Sequence, residues 1–147
     1  MAGSQHSWVD LALEGLHDAG YRNSAGRRAV VEALGAEHCA VSARDLEDRL
    51  RGRGRDVGRA TVYRSLEQLD ALNLVTRVEV GDGTTRYEPR LPGGEHHHHH
   101  LVCDTCGAVE PFEDEALERA VQRVSRSVDF RVDMHDIVLH GACERCR

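Results

Sequence analysis

The sequence predicts an α+β chain of two small domains: a helical first half ending in a β-hairpin, and a shorter α/β half built around four cysteines. Three observations predict it. Apolar residues recur at helical spacing from Trp8 to Leu69 and then give way to two β-rich runs. Pro89, Pro92, Gly93 and Gly94 interrupt every periodicity, as an interdomain hinge does. Beyond them stand Cys103-x-x-Cys106 and Cys143-x-x-Cys146. The expected boundaries are residues 1–88 for the first domain, 89–95 for the hinge and 96–147 for the second.

In the first domain Trp8, Leu11, Leu13 and Leu16 form an apolar stripe that ends at Gly20, a residue suited to a helical C-cap. Ser24 caps a second helix through Val30, Val31 and Leu34, and Ser42 caps a third through Leu46 and Leu50. Residues 51–58, with Gly52, Gly54 and Gly58, read as a connection. A fourth helix follows from about Arg59 to Leu72, and spacings of four and three place Val62, Leu66 and Leu69 on its inner face. Leu74–Val80 and Thr84–Tyr87 are strands, with a hairpin signal at Gly81-Asp82-Gly83. Helix, helix, turn, helix and hairpin is the order of a winged helix-turn-helix. In that fold the last helix enters the DNA major groove and the hairpin touches the backbone.

The second domain reads as strands over 101–103 and 108–112, an amphipathic helix over 113–128 and two more strands within 130–140. Its cysteines supply the four thiolates of a closed tetrahedral structural zinc site. The 36 residues between the pairs are a weak objection. Each doubling of a loop costs only about 0.6 kcal/mol, against roughly 10 kcal/mol or more from a structural zinc. A thioredoxin-like redox pair needs its Cys-x-x-Cys at a helix start in a βαβ unit, a context missing here. The tract from His96 to His100 is internal, unlike an affinity tag. If it is extended, His96, His98 and His100 face one way and His97 and His99 the other, which makes two metal sites on opposite faces feasible.

Composition bounds the function. Aromatics are only 4% of the chain, so Leu, Val and Ala must build the core. No apolar run reaches the roughly 20 residues of a membrane span and no secretory signal pattern is present, so no membrane partner is expected and a cytoplasmic location is. In that reducing compartment five cysteines read as metal ligands rather than disulfides. The net charge is −6, but it is unevenly placed: residues 49–64 carry six arginines against the single acid Asp56. A DNA-binding surface is therefore confined to one segment. Within it Arg59, Thr61, Tyr63 and Arg64 open the fourth helix, where arginine can bond guanine or phosphate and tyrosine can pack on a thymine methyl.

The run Val57-Gly58-Arg59-Ala60-Thr61-Val62-Tyr63-Arg64-Ser65-Leu66 resembles the recognition segment of the ferric uptake regulator family, whose Ala-Thr-Val-Tyr-Arg string it reproduces. The resemblance runs from about Leu16 to the C-terminus. It implies a metal-dependent repressor of metal-uptake or oxidative-stress genes, without enzymatic activity. Such a repressor binds a palindromic double-stranded operator as a homodimer through its C-terminal domain. Tyr63 and Arg64 then lie near bases, and Arg22 and Arg27 contact the backbone or minor groove. Carried over residue by residue, the family's regulatory site between domains uses Glu88, His98 and His100. His38 or Cys39 could stand in for a histidine that many iron-type members have where this chain has Ala40. A second site inside the C-terminal domain maps onto His97, His99, Glu118 and His135. Zinc-uptake members have an aspartate where Thr76 stands and a cysteine ahead of the histidines, which residues 89–95 lack. Beside the structural zinc, the resemblance implies a second divalent ion, iron(II) or zinc, with manganese and nickel open because nitrogen and oxygen donors suit all of them.

Two other classes fit parts of the sequence. A zinc hydrolase or deaminase could use His97, His99, Glu118 and His135, but it needs an open coordination position and leaves the arginine-bearing helix idle. A zinc-stabilised interaction module without DNA would show little salt dependence of DNA binding.

Overall fold

A computed structural model describes residues 7–91 and 97–147. They fall into two compact units, divided at His96 and His97.

The first unit begins with α1 (Trp8–Asp18), entered through a capping box in which Ser7 and Asp10 each accept from the other's backbone amide. Gly20 follows at φ +85°, the left-handed conformation that glycine tolerates best. Ser24 caps α2 (Ala25–Gly35) at the Arg27 amide, and Ser42 caps α3 (Ala43–Gly52) at the Asp45 amide. The third helix thus takes in Arg51 and Gly52, which the glycine pattern assigned to the connection. Its last turn carries Arg49 and Arg51, side chains that favour a helix C-terminus. The fourth helix, α4, spans Arg59–Ala71.

Three strands complete the unit: β1 (Val41–Ser42), β2 (Val75–Glu79) and β3 (Thr85–Pro89). They form an antiparallel sheet in the order β1-β3-β2. The two-residue β1, which no periodicity could reveal, pairs Val41 with Tyr87. Pro89, which the sequence assigns to the hinge, stands opposite Val75 at the end of β3. Most of the hinge, residues 92–95, and His96 lie outside the described residues. Leu16, Leu34, Leu46, Val62, Leu66 and Leu69 are essentially inaccessible and form one core with Val30 and Val31. Each such side chain contributes about 1.5–3 kcal/mol on burial. Trp8 closes the core with its indole N–H on the Leu74 carbonyl at 2.8 Å. At the hairpin tip, Gly81 and Gly83 take positive φ while Arg86 grips Asp82 at 2.8 and 3.1 Å.

The second unit contains β4 (His99–Cys103), β5 (Val109–Phe112), α5 (Glu115–Ser127) and β6 (Val138–Gly141). Their order is β5-β4-β6, with β4 and β6 parallel. Only one of the two strands predicted within 130–140 forms. Phe130, Val132 and Met134 do alternate with charged residues. However, none of the described strands pairs with that segment, and backbone extended without a hydrogen-bonding neighbour is not a strand. None of α5 is buried.

Candidate nucleic-acid interface and metal centres

The fourth helix divides sharply into two faces. Val62, Ser65, Leu66 and Leu69 are buried, while Arg59, Tyr63 and Arg64 point outward, Tyr63 with 46% of its surface accessible. Gly58 provides no side-chain cap and the first turn holds no acid; the Thr61 and Val62 amides bond the Gly58 carbonyl, and no side chain caps the amides ahead of them. Thr61 is half-buried, and its methyl lies close to Gly26 of the second helix, where an added Cβ would come within 3.2 Å. Thr61 thus both borders the outer face and packs the two helices together.

The arginines around this face are more engaged than their sequence density suggests. Arg49 pairs with Glu37, Arg51 with Glu47 and Asp48, Arg55 with Glu32, and Arg59 with Glu47. The four guanidinium groups are themselves exposed, although Glu37 and Glu47 are largely buried, so phosphates can reach the donors these pairs leave open. Arg22 is exposed. Arg27 is half-buried, stacks over the Tyr21 ring at 5.7 Å and donates to the Arg22 carbonyl. Arg27 therefore holds the turn that presents Arg22.

The four cysteines converge in the second unit. Cys103 ends β4, Cys106 follows in a turn closed by Gly107 at φ +74°, and Cys143 and Cys146 follow β6. Parallel pairing of β4 with β6, Cys103 opposite Gly141, brings the distant pairs together. Their sulfurs lie within 4.8 Å of one another, and Cys106 and Cys143 are 3.8 Å apart. Zinc–sulfur bonds of about 2.3 Å in a tetrahedron set sulfurs about 3.8 Å apart, so the donor set fits zinc. Electrostatics agree. The Cys143 amide donates to the Cys103 sulfur at 3.3 Å and, with the Cys106 amide, pulls that thiol down to about 6. The Cys146 thiol is pushed up to about 12, first because it donates to the Cys143 sulfur and then because burial disfavours its charged form. Beside them His140 Nδ1 meets the Asp104 carboxylate at 2.9 Å, a pair that the sequence does not announce.

A second cluster joins β4 to α5. His99, fully buried, sets its Nε2 at 2.7 Å from Glu118; His135 approaches the same carboxylate at 3.1 Å, and His97 and His135 are 3.2 Å apart through their Nε2 atoms. All four residues offer a donor atom within 4.8 Å of the others. Hydrogen bonding to His99 holds the Glu118 carboxyl below its ordinary range, while burial, with the neighbouring His135 and His99, holds His97 below its own. Three imidazoles and one carboxylate suit a first-row divalent ion.

Extended alternation of the histidine run persists, although the strand begins only at His99. The rings of His97 and His99 pack 4.7 Å apart, and those of His98 and His100 pack 5.1 Å apart. On the latter face His100 is buried and lies 3.6 Å from Asp136, a carboxylate that nothing in the sequence marks beside His135. In the first unit Glu88 is half-buried on β3 directly opposite Thr76, while His38 is exposed and Cys39 half-buried.

Comparison with known proteins agrees with this arrangement. The model of the Ferric uptake regulator family matches residues 18–140. The ferric uptake regulation protein of Bacillus subtilis is 37% identical over 139 residues, covering 94% of this chain and 93% of its own length. The crystal structure of the Vibrio cholerae ferric uptake regulator, reported to show rearranged DNA-binding domains, is 34% identical with a TM-score of 0.76 and covers 88% of this chain and 98% of its own. The Helicobacter pylori ferric uptake regulator, whose structure reveals three functional metal binding sites, is 25% identical with a TM-score of 0.78 and covers 94% and 93%. With a helix-turn-helix followed by a hairpin, a four-cysteine cluster and this match over most of its length, the chain belongs to the ferric uptake regulator family.

Proposed function

We infer that this protein is a metal-dependent, DNA-binding transcriptional repressor of metal-uptake or oxidative-stress genes, acting in the cytoplasm. The observation that carries the reading is the outward face of α4, where Arg59, Tyr63 and Arg64 stand exposed around an uncapped helix N-terminus. Family membership favours this regulator over a hydrolase or deaminase that would borrow His97, His99, Glu118 and His135.

Arg64 and Tyr63 read base edges, Arg59 and Thr61 border them, and Arg22, steadied by Arg27, contacts the backbone or minor groove. Cys103, Cys106, Cys143 and Cys146 hold a structural zinc, which when bound supplies the dication their thiolates need. Glu88, His98 and His100 take the sensed ion, with His38 or Cys39 as a further donor. The set His97, His99, Glu118 and His135 takes another. The donors suit iron(II) or zinc, and manganese and nickel by the same chemistry. Ligation at the sensing residues favours the DNA-competent state in proportion to the ion's preference for that state. The protein acts as a homodimer on a palindromic operator, a reading supported by the exposed apolar residues Val124, Val128, Phe130 and Met134 of the second unit.

Selection from a random pool of duplexes by the metal-loaded chain tests this reading. Enrichment of a two-fold symmetric sequence is expected, and an unenriched pool would overturn it.

A further inference from the structure

One carboxylate in the first unit occupies a position where the helix pattern calls for an apolar residue. The inner face of α3 consists of Ala43, Leu46, Glu47 and Leu50, and the Glu47 side chain is only 11% exposed. Burying a carboxylate is unfavourable unless it is paired, and a well-packed apolar residue at such a site is commonly no less stable. Both oxygens of Glu47 are engaged. Arg51 donates to Oε1 at 3.2 Å while also gripping Asp48, and Arg59 donates its Nε to Oε2 at 3.1 Å. Arg59 is the first residue of α4, four residues before Tyr63 and so on the same outward face. Its side chain is 71% exposed, and among the described residues its two terminal nitrogens have no hydrogen-bond partner.

We propose that Glu47 is a positioning residue for sequence reading: by holding Arg59 at Nε, it presents the two terminal guanidinium nitrogens as a fixed fork for one guanine edge in the major groove. An arginine anchored at Nε has lost most of the rotamer freedom that base recognition would otherwise have to remove. Its remaining donors match guanine O6 and N7. The proposal rests on the DNA-binding reading above and adds to it a residue that never touches DNA.

The test uses the full chain with its metals and measures fluorescence anisotropy with the selected operator, its single-base variants and a random-sequence duplex. Glu47→Leu and Arg59→Lys are each expected to erase preference at the same guanine position, by on the order of 5- to 100-fold. The double variant should lose no more than either single one. Glu47→Gln, which keeps one acceptor, should fall between. A negative charge near DNA that did nothing else would behave differently. Its removal in Glu47→Leu would tighten operator and random duplex by one common factor with every preference intact, and that result overturns the proposal. So does base preference that survives Arg59→Lys, which would mark Arg59 as a phosphate contact. A wild-type chain with no preference among duplexes sinks the DNA-binding reading itself, an outcome separate from the other two. If Glu47→Leu fails to melt cooperatively, the Glu47→Gln and Arg59→Lys arms decide the matter.

Discussion

Single residues carry the chemistry here, and each is exposed or charged in a way that a substitution can read. Tyr63 and Arg64 are outward on a helix whose inner face is fixed by Val62, Leu66 and Leu69. Arg64→Ala should therefore weaken operator binding by about 5- to 100-fold without lowering the melting temperature, and titration calorimetry beside a thermal melt separates the two effects. The cysteines show the opposite behaviour. Cys143→Ser removes one thiolate from a cluster in which Cys103 is already pulled down to about 6 and Cys146 pushed up to about 12. Elemental analysis should find the structural zinc lost from that variant and retained in Glu118→Ala, which should lose a different ion. Retention of full zinc by Cys143→Ser would contradict the four-cysteine assignment.

At the scale of elements, much of the fold was legible because helices announce themselves through several independent signals. Ser24, Ser42 and Gly20 mark helix ends, and the inner faces of α2, α3 and α4 follow the 3.6 period. Leu66→Ala, at the centre of that packing, should cost about 2–5 kcal/mol in urea unfolding. What was not legible depends on partners distant in sequence. The two-residue β1 exists only because β3 comes back to it, and the ion pairs of Arg49, Arg55 and Arg59 join different helices or turns. The segment over 130–137 shows the reverse error. Its alternation is that of a strand, yet Phe130 remains 70% exposed and Met134 78% exposed. Beside an α5 with no buried residue, that surface suits a second copy of the chain. Phe130→Asp is accordingly expected to shift sedimentation from dimer to monomer, while unchanged sedimentation would place the interface elsewhere. Of the candidate sites, the cysteine pairs come together as their spacing suggests, and His97, His99, Glu118 and His135 converge as the family resemblance implies, whereas Glu47, Asp136 and the Asp104–His140 pair carry no sequence signal.

For the whole molecule, the charge distribution and the donor sets together define a regulator. A chain of net charge −6 has to concentrate its affinity for DNA in the first unit, where phosphate contacts impose a log affinity against log salt slope of roughly −0.9 each. The second unit holds donors of two chemical kinds: four thiolates, which suit zinc, and imidazoles with a carboxylate, which suit a first-row divalent ion. Metal dependence of DNA binding is the property that defines such a regulator. The most direct measurement is operator affinity, by anisotropy at fixed salt, for chain that keeps its zinc but is stripped of other metal, then titrated with iron(II), manganese, nickel or zinc. At least one of these ions should tighten operator binding by about fivefold or more, the lower end of ordinary coupling between sites. Equal affinity with and without every one of them would contradict it.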